Sequence, residues 1–339
     1  AVFGEAARGV VRAAKLLAST YTLVATNVPF LGRGDQDDTL REYCDRHHPD
    51  AKADLATAFV ERCRAFAKDE GRGSYALVTP QNWLFLTSYR TLREKLLREQ
   101  AWNHVCWVDE GAFASKAAAG AFPALLIITN SWPSSDHRIT GLSVSGTRVS
   151  AEKAALLRGA PIHQVAQGQQ LRHPDARIAL KPLKGGTLLS EYCWSYQGIK
   201  TGDDERFRRF FWEVTRSGSM WLFYQSTVKT TRFFGGLQYV IDWSEEGRNL
   251  ARRQGISAWG KTGVMVSQMR HLPCSLYLMG VFDSNASALV PKNPAHLPAI
   301  WAFCSSPEFS KAVRRIDQTL KVTNATLVKV PFDLEYWTK

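Results

Sequence analysis

Asn27-Val28-Pro29-Phe30 places an amide, a rigid turn and an aromatic face in four consecutive positions. The four residues close the apolar run YTLVAT (21–26), and the polar, glycine-bearing chain LGRGDQDD follows at once. An asparagine oxygen and the carbonyl of the next residue are two acceptors that a sharp turn can aim at one point. Pro29 stiffens such a turn by fixing φ, and Phe30 offers a flat π-surface. This set suits an exocyclic amine such as that of adenine. That nitrogen is a poor nucleophile because its lone pair is delocalised into the ring. Acceptors on both of its N–H groups pull it towards sp³ geometry and localise the pair. The plain alternative is a strand that simply ends at Pro29, and a four-residue pattern recurs by chance.

The elements that must hold this loop are legible around it. YTLVAT, with its β-branched members, reads as a strand buried on both faces. KADLATAFVERCRAFAKDEG places Leu55, Phe59, Cys63 and Phe66 on one helical stripe and stops at Gly71 and Gly73. SYALVTP (74–80) is a second buried strand. WLFLTSYRTLREKLLRE sets Phe85, Tyr89, Leu92 and Leu96 at helical spacing, and HVCWVD and ALLIIT read as two further strands. Alternation of this kind predicts an α/β fold, a largely parallel sheet with helices on both faces. In such sheets ligands bind beyond the carboxyl ends of the strands. Asn27–Phe30 and Thr79–Trp83 are therefore expected to line one crevice, with Trp83 as core packing at a helix start.

After about residue 133 the texture changes. SWPSSDH is turn-rich, and 151–186 reads as a linker with a short helix signal and then KPLKGG. Residues 187–339 are dense in aromatic and basic side chains and read as a second, mixed α+β domain. A helix is expected within HLPAIWAFCSSPEFSKAVRRI and a strand at ATLVKVPF. Charge separates the halves. Residues 1–150 hold 18 basic and 16 acidic side chains, whereas 151–339 hold 25 and 15. A localised positive excess points to a polyanion, with double-stranded DNA the leading partner. Lys200, Arg206, Arg208, Arg209, Lys229 and Arg232 flank aromatic or glycine turns and are the candidate phosphate contacts. No run approaches the roughly 20 apolar residues of a membrane span, and no secretory n- and h-region opens the chain. Six scattered cysteines without a C-x-x-C suit reduced thiols in a cytoplasmic protein. CDRHH lacks a second ligand pair at zinc spacing, so no metal is expected.

The sequence resembles the γ-class amino-methyltransferases of DNA, in which an N-P-P-[YF] motif ends a central strand. LLASTYTLVATNVPFLGRG looks like that strand and motif, and the chain up to LREKLL is similar to the helix, strand and helix that follow. The likeness is greatest to N6-adenine methyltransferases of phage-defence systems (BREX and phage-growth-limitation type) and of type II restriction-modification enzymes. In them, segments like GIKTGDDERFRRFFWEV, VFDSNASALVP and FCSSPEFSKAVRRIDQTLKVTNATLVKVPFD bound the target-recognition domain. The resemblance implies that residues 1–150 are part of a Rossmann-like, S-adenosylmethionine-dependent catalytic sheet. It implies that 187–339 recognise DNA. Asn27 and the Val28 carbonyl would accept from the target amine, Phe30 would stack on the flipped base, and Tyr192 and Trp194 lie near where a second aromatic wall is supplied. Val28 departs from the family proline, which brings a new N–H that must find a partner. The Gly-rich cofactor turn, which the family places well before this motif, is not readable in the 26 residues ahead of Asn27, and FGEAARG has no strand before it. The expectation is a C-terminal part of a methyltransferase, with its other half or other defence subunits as partners. The competing reading is a non-catalytic DNA-binding specificity module. Methylation of the cytosine N4 amine is a third, disfavoured by Asn rather than Ser at position 27.

Overall fold

The computed structural model describes residues 2–339, apart from 69–72, 114–120, 145, 146, 148, 181–186, 215–220, 279 and 318. The chain divides into two compact units, Ala1–Leu183 and Lys184–Lys339.

The first unit begins with α1 (Val2–Ala18), β1 (Leu23–Asn27), α2 (Asp38–His47), α3 (Leu55–Phe66) and β2 (Ser74–Pro80). It continues through α4 (Arg90–Glu99), β3 (Ala101–Trp107), β4 (Pro123–Thr129), β5 (Arg138–Ser143), α5 (Ser150–Gly159), β6 (His163–Ala166) and the short α6 (Gln167–Gln170). Six strands form one sheet in the order β1-β2-β4-β3-β5-β6. The sheet is mixed rather than largely parallel. β1–β2 and β3–β5 run parallel, but β4 is antiparallel to both β2 and β3, and β6 to β5. The run at 123–129 is equally apolar whichever way it points, so its direction was not in the pattern. β1, β2, β3 and β5 nevertheless share one direction, and their carboxyl ends lie along one side of the sheet.

Residues 151–180 are not a linker. β6 pairs with β5 through Ile139 and Val165, and Val165, Ala176, Ile178 and Leu180 are buried in the first unit's core. The KPLKGG portion (181–186) lies outside the described residues, as does the expected helix stop at Gly71. Of the predicted stripe Leu55, Phe59, Cys63 and Phe66, Cys63 is buried and the other three are half-buried; α3 buries Ala56, Thr57, Ala58 and Val60 instead. Alanines let the helix lie close on β2 and leave Phe59 half-buried at its flank. The helix predicted from Phe85 starts only at Arg90. Gln81–Leu84 and Thr87–Tyr89 are 3₁₀ turns instead.

The second unit carries β7 (Cys193–Gln197), α7 (Asp204–Phe207), β8 (Arg208–Phe210), β9 (Trp221–Gln225), β10 (Tyr239–Asp242), β11 (Thr262–Ser267), β12 (Cys274–Leu278), β13 (Val281–Phe282) and β14 (Ala286–Pro291). The helices α8 (Leu297–Ser305), α9 (Pro307–Arg314), α10 (Asn324–Leu327) and α11 (Leu334–Thr338) follow. Two four-stranded sheets result, β13-β9-β10-β8 and β12-β11-β14-β7. ATLVKVPF is not a strand. Its first residues form α10, and Leu327, Val328, Val330 and Phe332 all bury into the core around Ile300 and Phe303. Among the described residues no helix is long and apolar enough to cross a membrane.

Candidate active-site loop

The first unit brings Asn27–Phe30 to the end of β1, beside the end of β2, with Asn27 paired in register to Val78. Val28 is buried, and its N–H donates to the Val78 carbonyl at 3.3 Å. The donor that replaces proline's missing N–H is therefore satisfied within the sheet. Asn27, Pro29 and Phe30 are exposed, Phe30 at 37%. Among the described residues, no hydrogen bond engages the Asn27 side-chain amide or the Val28 carbonyl. Two unengaged acceptors, one on the exposed Asn27 and one on the buried Val28, thus share a short loop with an exposed aromatic ring.

Asp54, which the sequence reading missed, fastens this loop. It caps α3 by accepting from Ala56 N at 2.9 Å and also accepts from Leu31 N at 3.3 Å. Leu55 N donates to Leu31 O at 2.9 Å, and Arg33 N to Ala53 O at 3.0 Å. Burial pushes the Asp54 carboxyl above the ordinary carboxylate range, and the two backbone donors pull it back. The signal was available as an aspartate just before a helical run. Asp54→Ala removes a cap and a tether, so urea unfolding is expected to show a loss of about 1–2 kcal/mol. Asp54→Asn, which still caps, is expected to lose less.

At the end of β2, Trp83 is fully buried and donates from Nε1 to Thr79 Oγ1 at 3.0 Å. It is core, and Thr79 is buried with it, so this side of the expected crevice is closed by packing. A hollow of about 300 Å³, lined by His47, His48, Glu61, Arg64, Lys95 and Asn130, lies towards the opposite end of β2. Its polar contacts centre on Glu61, while Arg64 pairs at 2.7 Å with Glu99, which does not line it. His48 Nδ1 sits 2.8 Å from Glu61 Oε2 and Lys95 Nζ 3.3 Å from Glu61 Oε1. Its position away from the strand carboxyl ends separates it from the Asn27 loop.

The remaining predicted site residues belong to the second unit. Tyr192 packs edge-on against His296 and Phe332 at 5.6 and 5.3 Å between ring centres and serves that unit's core. Trp194 is 45% exposed on β7. Lys200, Arg206, Lys229 and Arg232 are exposed. Arg208 is half-buried. It pairs with Asp204 at 3.1 Å and lies over the Tyr239 ring at 4.5 Å, so its charge is already committed. The Arg209 guanidinium is spent on the carbonyls of Glu205 and Arg208.

Residues 12–113 match the sequence profile of the Eco57I restriction-modification methylase family. The chain is 24% identical to the adenine-specific methyltransferase PglX of Lacticaseibacillus casei (strain Zhang), over 71% of this chain and 22% of that protein. It is 23% identical to the adenine-specific methyltransferase BrxX of Escherichia coli O9:H4 (strain HS), over 95% and 28%. The chain thus spans about a quarter of the length of these relatives. Its fold is shared with the Type IIL restriction-modification enzyme MmeI, solved in complex with DNA. The TM-score is 0.58 at 13% identity, covering 90% of this chain and 45% of that one. The protein is a distant relative of adenine-specific methyltransferases and restriction-modification enzymes, with a mixed α/β fold.

Proposed function

We propose that this chain supplies the target-base side and the DNA-recognition unit of a site-specific DNA adenine-N6 methyltransferase in a restriction-modification or phage-defence system. The observation that carries the reading is the pair of unengaged acceptors, Asn27 Oδ1 and the Val28 carbonyl, beside the exposed Phe30 at a strand's carboxyl end. An adenine flipped out of the duplex would stack on Phe30 and give its two N–H hydrogens to these acceptors. The amine lone pair would then be localised for attack on a methyl group. Exclusion of water by the ring would strengthen both hydrogen bonds.

S-adenosylmethionine is the methyl donor this reading calls for, and the described residues do not fit it. FGEAARG lies inside α1, so no glycine turn follows a strand ahead of Asn27. β1 is an edge strand with Leu23 62% exposed, and Val10, Val11, Leu16 and Leu17 of α1 are also exposed. No charge or proline interrupts 20–28, so this edge lacks the usual guards against further pairing. We assign the edge to the cofactor-binding part of the sheet. Calorimetry on the 339-residue chain is expected to show S-adenosylmethionine binding weaker than millimolar. Micromolar binding would place the cofactor on this chain and overturn the assignment.

A further inference from the structure

Trp194 is an exposed indole with two lysines drawn to it from distant parts of the sequence. Lys261 Nζ lies 5.7 Å from the indole centre and 5.9 Å from the Tyr196 ring, and Lys292 Nζ lies 5.9 Å from the indole centre. Each is placed by backbone geometry. Lys292 N donates to Tyr192 O at 2.8 Å, which carries the β14–β7 pairing one residue past Pro291 and sets its side chain beside Trp194. Gly260, at φ +74°, turns the chain into β11 and presents Lys261; a side chain there would be strained. Both lysines are exposed, and neither forms an ion pair with a described acidic side chain. Further along the same chain, Lys200 and Arg252, also exposed, exchange backbone hydrogen bonds at 3.0 Å in each direction.

Two ammonium groups with no ion-pair partner among the described residues, each within 5.9 Å of one indole centre, form a surface complementary to negative charge. We propose that Lys261 and Lys292, set on Trp194, form a clamp for the phosphodiester backbone of duplex DNA. Cation–π attraction to the indole restrains each long side chain and so reduces the entropy lost when it meets a phosphate. It also offers its exposed surface to the adjoining sugar. Phosphate contacts of this kind fix register and orientation without reading sequence. The clamp rests on the reading of DNA as the partner and names where in the second unit the backbone is gripped.

The competing account is that the lysine stems merely shield an exposed indole from water. Methionine keeps the stem and removes the charge, so it separates the two. The 339-residue chain and its Lys261→Met, Lys292→Met and double variants would be titrated against a fluorescein-labelled duplex of arbitrary sequence, between about 50 and 200 mM salt. Each single variant is expected to reduce the slope of log K against log salt by about 0.9, and the double variant by about 1.8. Lys261→Arg is expected to retain the wild-type slope. Wild-type binding with unchanged slopes in all Met variants would overturn the clamp and leave DNA as the partner. Absence of wild-type binding at the lowest salt would overturn both.

Discussion

Replacing Asn27 by alanine, in a full-length enzyme containing this chain, is expected to reduce methyl transfer at least about 100-fold, the scale of losing one preorganised hydrogen-bonding group at a reacting centre. Binding to DNA should stay within about twofold, because the role proposed for Asn27 is on the amine and not on the phosphates that supply most affinity. Phe30→Ala should be milder, losing about 1–3 kcal/mol of base stacking, and Phe30→Trp should remain active. Single-turnover transfer of a labelled methyl group, with gel-shift titration in parallel, separates these effects. Wild-type rates for Asn27→Ala would reduce the loop to a strand end.

The second large effect is structural. Arg93 is fully buried on α4 with its guanidinium donating to four backbone carbonyls: Trp83, Leu86 at 2.8 Å, Asp175 at 2.6 Å and Ala176 at 3.3 Å. It ties the 3₁₀ turns after β2 to the segment around Asp175, neither of which has a regular ladder of its own. Arg93→Ala leaves the Trp83, Asp175 and Ala176 carbonyls without this donor, while Leu86 O still accepts from Tyr89 N at 3.2 Å, and each unsatisfied buried group costs about 1–3 kcal/mol. A loss of about 3 kcal/mol or more is expected in urea unfolding followed by circular dichroism. Arg93→Lys should recover only part of it, because an ammonium has three donors on one atom and cannot span the same spread of carbonyls. A loss below about 1 kcal/mol would mean that water replaces the guanidinium at little cost.

These two residues mark how far the sequence could be read. The strand end at Asn27 was legible because amide, proline and ring are consecutive after an apolar run, although β1 is a partly exposed edge strand rather than one buried on both faces. β2 at 74–80 was legible for the same reason. Arg93 was not, since one more arginine on an amphipathic helix gives no sign of burial until residues 83, 86, 175 and 176 close over it. Strand direction was equally hidden. β4 is antiparallel to both β2 and β3, and nothing in the residues of the strand announces that direction. Arg208 looked like a phosphate ligand, yet Asp204 stands four residues earlier, and that spacing already offered an internal partner. Lys261 and Lys292 lie far from Trp194 in sequence, and only the placement of β7, β11 and β14 in one sheet brings the three together.

The central claim is that the Asn27 loop presents an adenine N6 amine for methylation. It is tested most directly by mass spectrometry of nucleosides from DNA treated with S-adenosylmethionine and the full-length enzyme, in wild-type and Asn27→Ala forms. The account predicts N6-methyladenine from the wild type and none above background from the variant. N4-methylcytosine in its place, or N6-methyladenine at equal yield from Asn27→Ala, would contradict it.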